Sequence, residues 1–304
     1  MNQTVPSALW IDVHIHKNGG TSIRDAMMRM RKPPKGHAKL LDKLYSYRSS
    51  YHIRGGLPQL LADMECKHRV ALELHEHRWI FRFVWLPQIN KLRLQYQNCT
   101  RIILSTRVRE PFSAYTSMYA WADILKRFNA TFDKWAAPNL QTAMWLSGDF
   151  RGFAEGRLWS GARHFNSVDY DGYLMASSII KDFTFAYTTE SSDTILPHLI
   201  SCVLGQNPPA WFFNSTIRTP GLPPSATVFH AAPLRAGGGA HSVQKVHTRR
   251  MATLIAEICP NVTKCQLKVQ SIAPYDYLLY EMVAKGNAGT MHIQQRFGKD
   301  SLRM

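Results

Sequence analysis

Residues Leu9 to Ala26 read LWIDVHIHKNGGTSIRDA, and the way this stretch divides decides the fold. Apolar residues dominate Leu9 to Ile15, a short run that favours extended structure and predicts a buried strand. The run stops at His16-Lys17-Asn18-Gly19-Gly20. Thr21 and Ser22 then offer N-cap hydroxyls to Ile23–Met30, a segment with the composition of a helix. Strand, glycine turn and helix start in that order gather backbone N–H groups and the positive end of a helix around one small volume, with Lys17 at its rim. A phosphate or sulfate suits that volume; a plain glycine turn is the alternative reading.

Working outward, Val70 to Leu74 predicts a second buried strand, ending in Glu73-Leu74-His75-Glu76-His77. Alternate residues of a strand share a face, so Glu73, His75 and His77 project one way and Leu74 and Glu76 the other. Two imidazoles and a carboxylate on one side suit a general base with its orienting partner. A metal site would need a second ligand cluster, and none accompanies them. Arg101 to Val108 (RIILSTRV) predicts a third strand, which runs straight into Arg109-Glu110-Pro111-Phe112. Pro111 fits the first turn of a helix. Arg109 at the strand end and Ser117 two turns on are spaced to reach one anion, the guanidinium as a fork and the hydroxyl as a donor.

Phe183 to Thr188 reads as a fourth strand, and Leu57–Met64, Tyr173–Ile180, Glu190–Leu204, Thr253–Cys259 and Tyr275–Lys285 read as helices. Strands alternating with helices predict an α/β fold, a central parallel sheet flanked by helices, in a single domain over residues 1–304. Gly148 to Asp171, with Arg151, Arg157 and Arg163, reads as a loop insertion near the cleft. The Pro- and Gly-rich residues 206–242 read as an irregular excursion, and residues 288–304 as a polar, basic tail.

Thirty-seven Lys and Arg against twenty-one Asp and Glu give a net charge of +16. Such a surface attracts anionic partners. Zinc-finger spacing, an aromatic RNA-binding signature and a long basic tail are all missing, which argues against nucleic acid. No apolar run approaches the ~20 residues of a membrane helix, and no signal peptide opens the chain, so a membrane is expected only through an anchor outside this sequence. The cysteines Cys66, Cys99, Cys202, Cys259 and Cys265 include no CxxC pair; Cys259 and Cys265 bracket a short loop and are placed for a local disulfide. Asn-x-Ser/Thr sequons at Asn2, Asn98, Asn129, Asn214 and Asn261 beside a disulfide favour the secretory lumen over the cytosol.

In the Walker A loop of nucleotide triphosphatases the lysine follows the last glycine, and a Ser or Thr then holds magnesium. Here Lys17 precedes both glycines. The order Lys-x-Gly-Gly-Thr-Ser instead resembles the 5′-phosphosulfate loop of the Golgi-type carbohydrate sulfotransferases, HIPKTGGTS, with His16 and Asn18 replacing its proline and threonine. Arg109 to Tyr119 resembles their 3′-phosphate motif RDPVxRxxSxY, with Ala114 in place of the second arginine and Arg107 a possible substitute. Asn139 to Gly148 resembles the N-x-Q-T-R-x-L-x-G segment of the heparan sulfate 2-O- and 6-O-sulfotransferases, with Ala143 replacing its arginine. Phe183–Gly205 and Tyr275–Lys285 are similar to late strand and helix segments of the same family, so the resemblance spans roughly Leu9 to Lys285.

That resemblance implies a P-loop-type central parallel sheet and transfer of a sulfuryl group from 3′-phosphoadenosine 5′-phosphosulfate to a hydroxyl, without a metal. Lys17, Asn18, Gly19, Gly20, Thr21 and Ser22 would hold the phosphosulfate, and Arg109 with Ser117 the 3′-phosphate. His75 matches the family's catalytic histidine, with His77 and Glu76 as substitutes. A carbohydrate acceptor is implied; a small alcohol or sterol held by Trp79, Trp85 and Trp121 is the alternative. So are a magnesium-dependent kinase and a nucleotide- or polyanion-binding protein of the same fold without catalysis. The resemblance also implies the Golgi lumen, with the cytoplasm as the alternative.

Overall fold

Strand β1 (Ser7–Val13) is buried at every position, as a strand covered on both faces and both edges must be. The computed structural model describes residues 7–13, 15, 18, 20–48, 56–74, 85–121, 129–135, 138–146, 168–214 and 255–286. In it β1 pairs in parallel with β3 (Arg69–Leu74) on one side and β4 (Thr100–Val108) on the other. Strand β2 (Lys43–Arg48) adds to the free side of β3, and β5 (Phe185–Thr188) to the free side of β4. The result is a five-stranded, all-parallel sheet in the order β2-β3-β1-β4-β5, flanked by helices in the manner of a P-loop-type α/β fold.

Residue alternation splits the core into two layers. Leu9, Ile11 and Val13 face one side with Leu72 and Leu104, beneath helices α2 (Gly56–Met64), α3 (Leu86–Tyr96), α4 (Pro111–Trp121), α5 (Phe132–Trp135) and α6 (Leu140–Leu146). Helices α7 (Tyr170–Lys181), α10 (Val262–Ile272) and α11 (Pro274–Gly286) pack on the same side. Ala8 and Trp10 face the other side with Ala71, Ile103 and Phe185, beneath α1 (Gly20–Arg31), α8 (Ser192–Leu204) and α9 (Ala210–Asn214).

The strand order reverses at β1. The chain leaves β1 through α1 on one face and leaves β4 through α4 on the opposite face. Between two neighbouring parallel strands whose connections diverge in this way, a crevice opens at the carboxyl ends, and ligands of open α/β sheets bind there. The turns carrying Asn18 and Arg109 both begin at that crevice.

Four expectations change. The first strand ends at Val13 rather than Ile15. Helix α1 begins at Gly20, so Thr21 and Ser22 lie inside its first turn rather than at its cap. The sheet has a fifth strand where four were expected: β2, KLYSYR, is not an apolar run and pairs along one edge only. The disulfide joins Cys66 to Cys99, Cα atoms 5.1 Å apart, and Cys259 and Cys265 are free, buried thiols. Residues 259–265 are not a loop closed by sulfur. Asn261 caps α10 there, its Oδ1 accepting from the Lys264 N–H at 2.9 Å. Among the described residues no helix is long and apolar enough to cross a membrane.

Candidate functional site

At the carboxyl end of β1, Asp12 is fully buried. A carboxylate in that position needs partners, and β4 supplies them: Ser105 Oγ donates to Asp12 Oδ1 at 2.6 Å, and Arg107 Nη2 to Oδ2 at 2.8 Å. The Trp10 indole N–H donates in turn to Ser105 Oγ at 2.8 Å. Arg107 is 1% exposed, and it also donates from Nε to the Asn18 carbonyl at 3.1 Å and from Nη1 to the Tyr187 hydroxyl at 3.4 Å. The expectation that Arg107 could replace the missing anion contact is therefore corrected. Its guanidinium is buried beneath the glycine turn, which it braces.

Glu73 completes this buried polar row across the sheet, in register with Asp12. Burial, with the Asp12 charge beside it, pushes its carboxyl up to about 7; Arg24 and Arg107 pull it the other way. Glu73 thus lies on the α1 side of the sheet, the face that Ala71 also takes.

Asn18 anchors the glycine turn. It is wholly buried, and its Nδ2 donates to the Arg107 carbonyl at 3.2 Å and to Gln141 Oε1 at 2.9 Å. The same Gln141 oxygen accepts from the Arg109 backbone N–H at 3.0 Å, and Gln141 Nε2 returns a bond to the Arg109 carbonyl at 2.8 Å. One side chain therefore clasps the turn after β1 to the end of β4. Gln141 is held in its own right. The first turn of α6 is capped by Asp276 of α11, which accepts from the Gln141 N–H at 2.9 Å, the Thr142 N–H at 2.8 Å and the Thr142 hydroxyl at 2.7 Å. Burial pushes Asp276 up to about 6 in spite of those bonds, which favour its charged form. Tyr115 joins the network by accepting from the Leu140 N–H at 2.9 Å.

Arg109 is half-buried, and burial lowers its pKa, opposed by the nearby carboxylates of Glu190 and Glu110. Glu110 serves α4 itself, its oxygens accepting from the Phe112 N–H at 3.0 Å and the Ser113 N–H at 2.7 Å. The first amides of α4 are thus satisfied internally, and an anion at this helix would meet Arg109 and the side chains of the Ser113–Ser117 stripe rather than the amides. Ser117 is 7% exposed. Ala114 and Ala143, where the family pattern has arginines, are 3% and 0% exposed and packed into the interior. Trp85, expected to line an acceptor site, is 4% exposed and belongs to the core.

Lys17, Gly19, His75, Glu76 and His77 lie outside the described residues, as do Trp79, Arg151, Arg157 and Arg163 and most of residues 206–242; the backbones of Gly20, Thr21 and Ser22 form the start of α1. Because β3 is parallel to β1 and β4, the chain leaves Leu74 toward His75 at the same end of the sheet as the two clasped turns. The residues that sequence reasoning missed are Asp12 and Asp276 as buried carboxylates and Gln141 as a clasp. A charged residue inside an apolar run, as in LWIDV, is the signal that could have found Asp12. Among the described residues no group of three or more His, Cys, Asp or Glu side chains is arranged to hold a metal ion. Comparison with protein-family models, with curated proteins and with solved structures finds no match for this chain.

Proposed function

We propose that this chain is a sulfotransferase that moves a sulfuryl group from 3′-phosphoadenosine 5′-phosphosulfate to a hydroxyl of a carbohydrate or related acceptor. The observation that carries the reading is the Gln141 clasp. It supports a shared crevice for two sequence segments that separately resemble the two anion holders of such enzymes. Lys17 and the amides of residues 19–22 neutralise charge that grows on the donor's bridging oxygen as the S–O bond breaks, the Asn18 N–H being given to the Ile15 carbonyl at 3.2 Å. Arg109 and the Ser117 hydroxyl bind the 3′-phosphate and so fix the donor in line with the acceptor. His75 takes the acceptor proton, a task matched to imidazole near neutral pH, with His77 and Glu76 as the neighbouring candidates.

The Cys66–Cys99 bond supports a secretory location, the Golgi lumen by resemblance, since disulfides persist in oxidising compartments. A second reading, nucleotide or polyanion binding without catalysis, is favoured by the buried alanines at 114 and 143 and by the two carboxylates beside Arg109.

Calorimetry with adenosine 3′,5′-bisphosphate in the absence of magnesium tests the donor site. Binding at micromolar concentration, lost in Lys17→Ala, is expected; no binding removes the reading. Incubation with labelled donor and a panel of glycans and small alcohols then separates the two readings. Transfer that disappears in His75→Ala while bisphosphate binding survives supports the enzyme, and binding without transfer to any acceptor supports the second. Activity that requires ATP and magnesium would make the chain a kinase.

A further inference from the structure

We propose that Asn129 and Asn261 carry N-linked glycans on the folded protein, and that Asn98 is glycosylated only in chains reached before Cys66–Cys99 closes. This rests on the secretory location given above and is independent of the sulfotransferase reading. The motif alone does not separate the sites, but their surroundings do. In Asn261-Val262-Thr263 all three residues are exposed, and in Asn129-Ala130-Thr131 both the asparagine and the threonine are. Asn261 caps α10 through Oδ1, whereas a glycan attaches at Nδ2, so cap and sugar use different atoms of one amide. Asn129 sits at a turn with φ of 49°, a left-handed conformation that asparagine tolerates, and no strand or helix is interrupted by modifying it.

Asn98-Cys99-Thr100 differs at its second and third positions. The asparagine is exposed, but Cys99 is bonded to Cys66, and Thr100 begins β4 at 2% exposure with its hydroxyl donating to Ser7 Oγ at 3.1 Å. The hydroxyl that defines the sequon is therefore withdrawn once the sheet and the disulfide form. Glycosylation and oxidation compete for the same three residues.

In the transfer, the asparagine Nδ2 forms a bond to the anomeric carbon of a lipid-diphosphate-linked oligosaccharide. The anomeric C–O bond breaks, the diphosphate leaves with the electron pair, and the amide proton passes to a base of the transferase; nothing is oxidised or reduced. Asn98 and Asn261 also lie away from the crevice. Asn98 precedes the amino end of β4, ~30 Å of strand from Val108. Asn261 begins α10, ~16 Å of helix from Ile272 at its other end, which accepts from the Asn139 N–H beside Gln141.

The test is to direct the full chain into the endoplasmic reticulum of a eukaryotic host, release N-glycans enzymatically in H₂¹⁸O and read the peptides by mass spectrometry. Labelled aspartate at 129 and 261 in most chains, and at 98 in a minority, is the expected result. Cys66→Ser leaves the Asn98 sequon intact and prolongs the open thiol state, so occupancy at 98 should rise at least about twofold. An unmodified Asn129 or Asn261, or occupancy at 98 that ignores Cys66→Ser, overturns the proposal. The readout is mass on total chain, so it stands whether the variant folds and whether or not the protein transfers sulfuryl groups.

Discussion

Gln141 Oε1 accepts a 2.9 Å hydrogen bond from Nδ2 of Asn18, across 123 positions of the chain. The same oxygen takes the Arg109 N–H, so the spacing between the glycine turn and the end of β4 is set by one amide side chain. Gln141→Leu keeps the volume and removes all three bonds, leaving the buried Asn18 amide and Arg109 backbone short of partners. Each such unsatisfied group costs about 1–3 kcal/mol. Denaturant unfolding should show a loss of about 2–4 kcal/mol, and bisphosphate affinity measured on the folded fraction should fall by roughly tenfold, about 1.4 kcal/mol. Unchanged affinity in a folded Gln141→Leu protein would mean that the two turns do not serve one ligand.

Glu190 and Glu110 flank Arg109, the guanidinium proposed to hold the 3′-phosphate. Glu190 accepts from the Glu110 N–H at 3.3 Å, a bond that a glutamine oxygen can also accept. Glu190→Gln therefore removes a charge without removing the contact. Anion affinity should rise by roughly threefold, on the scale of a screened surface pair, and the gain should shrink at high salt. Calorimetry at two ionic strengths checks it. A fall in affinity would place the anion elsewhere.

The central strands were legible because Leu9–Val13, Val70–Leu74 and Ile102–Val108 are buried and their runs are mostly apolar. Strand β2 was not, since KLYSYR is an edge strand paired on one side only, which does not require an apolar run, and its Lys43 is exposed. The disulfide was not legible either. It joins the turn after α2 to the turn before β4, and only the sheet, with β1 inserted between β3 and β4, brings those turns together. The segment Asn139–Gly148 stood out only by its resemblance, and its Gln141 works through the Asn18 side chain and the Arg109 backbone. Spacing along a chain carries no sign of which residue in a motif touches ligand and which holds the residues that do.

Glu73 gives the fold a pH dependence whose sign follows from its environment. Its carboxyl is raised in the folded protein from 4.5 to about 7, so the folded state holds the proton more tightly than the unfolded chain. The cost of ionising it is absent below the unfolded value, grows between pH 4.5 and 7, and is fully present above. Glu73→Gln removes that cost. Relative to the wild type, the variant should gain about 1–3 kcal/mol at pH 8 over its value at pH 5, read from urea midpoints at both pH values. A difference independent of pH would show that Glu73 ionises freely in the fold.

The Arg107–Asp12 pair separates bracing from binding. Both side chains are buried, at 1% and 0% exposure, and their 2.8 Å contact lies under the Asn18 carbonyl that Arg107 also holds. Arg107→Met strands the Asp12 charge in the interior and should cost about 3–5 kcal/mol. Replacing Asp12 by asparagine in the same chain removes that charge while leaving an oxygen for Ser105, so the double variant should be more stable than Arg107→Met alone. A buried pair whose partners are both made neutral loses the attraction and the desolvation cost together. Unfolding of the two single variants and the double variant gives the coupling directly. If the double variant loses the sum of the single losses, the two residues act independently and Arg107 stabilises the turn through Asn18 and Tyr187 alone. If instead stability recovers but bisphosphate affinity does not, the guanidinium's bond to the Asn18 carbonyl is what shapes the turn for its anion.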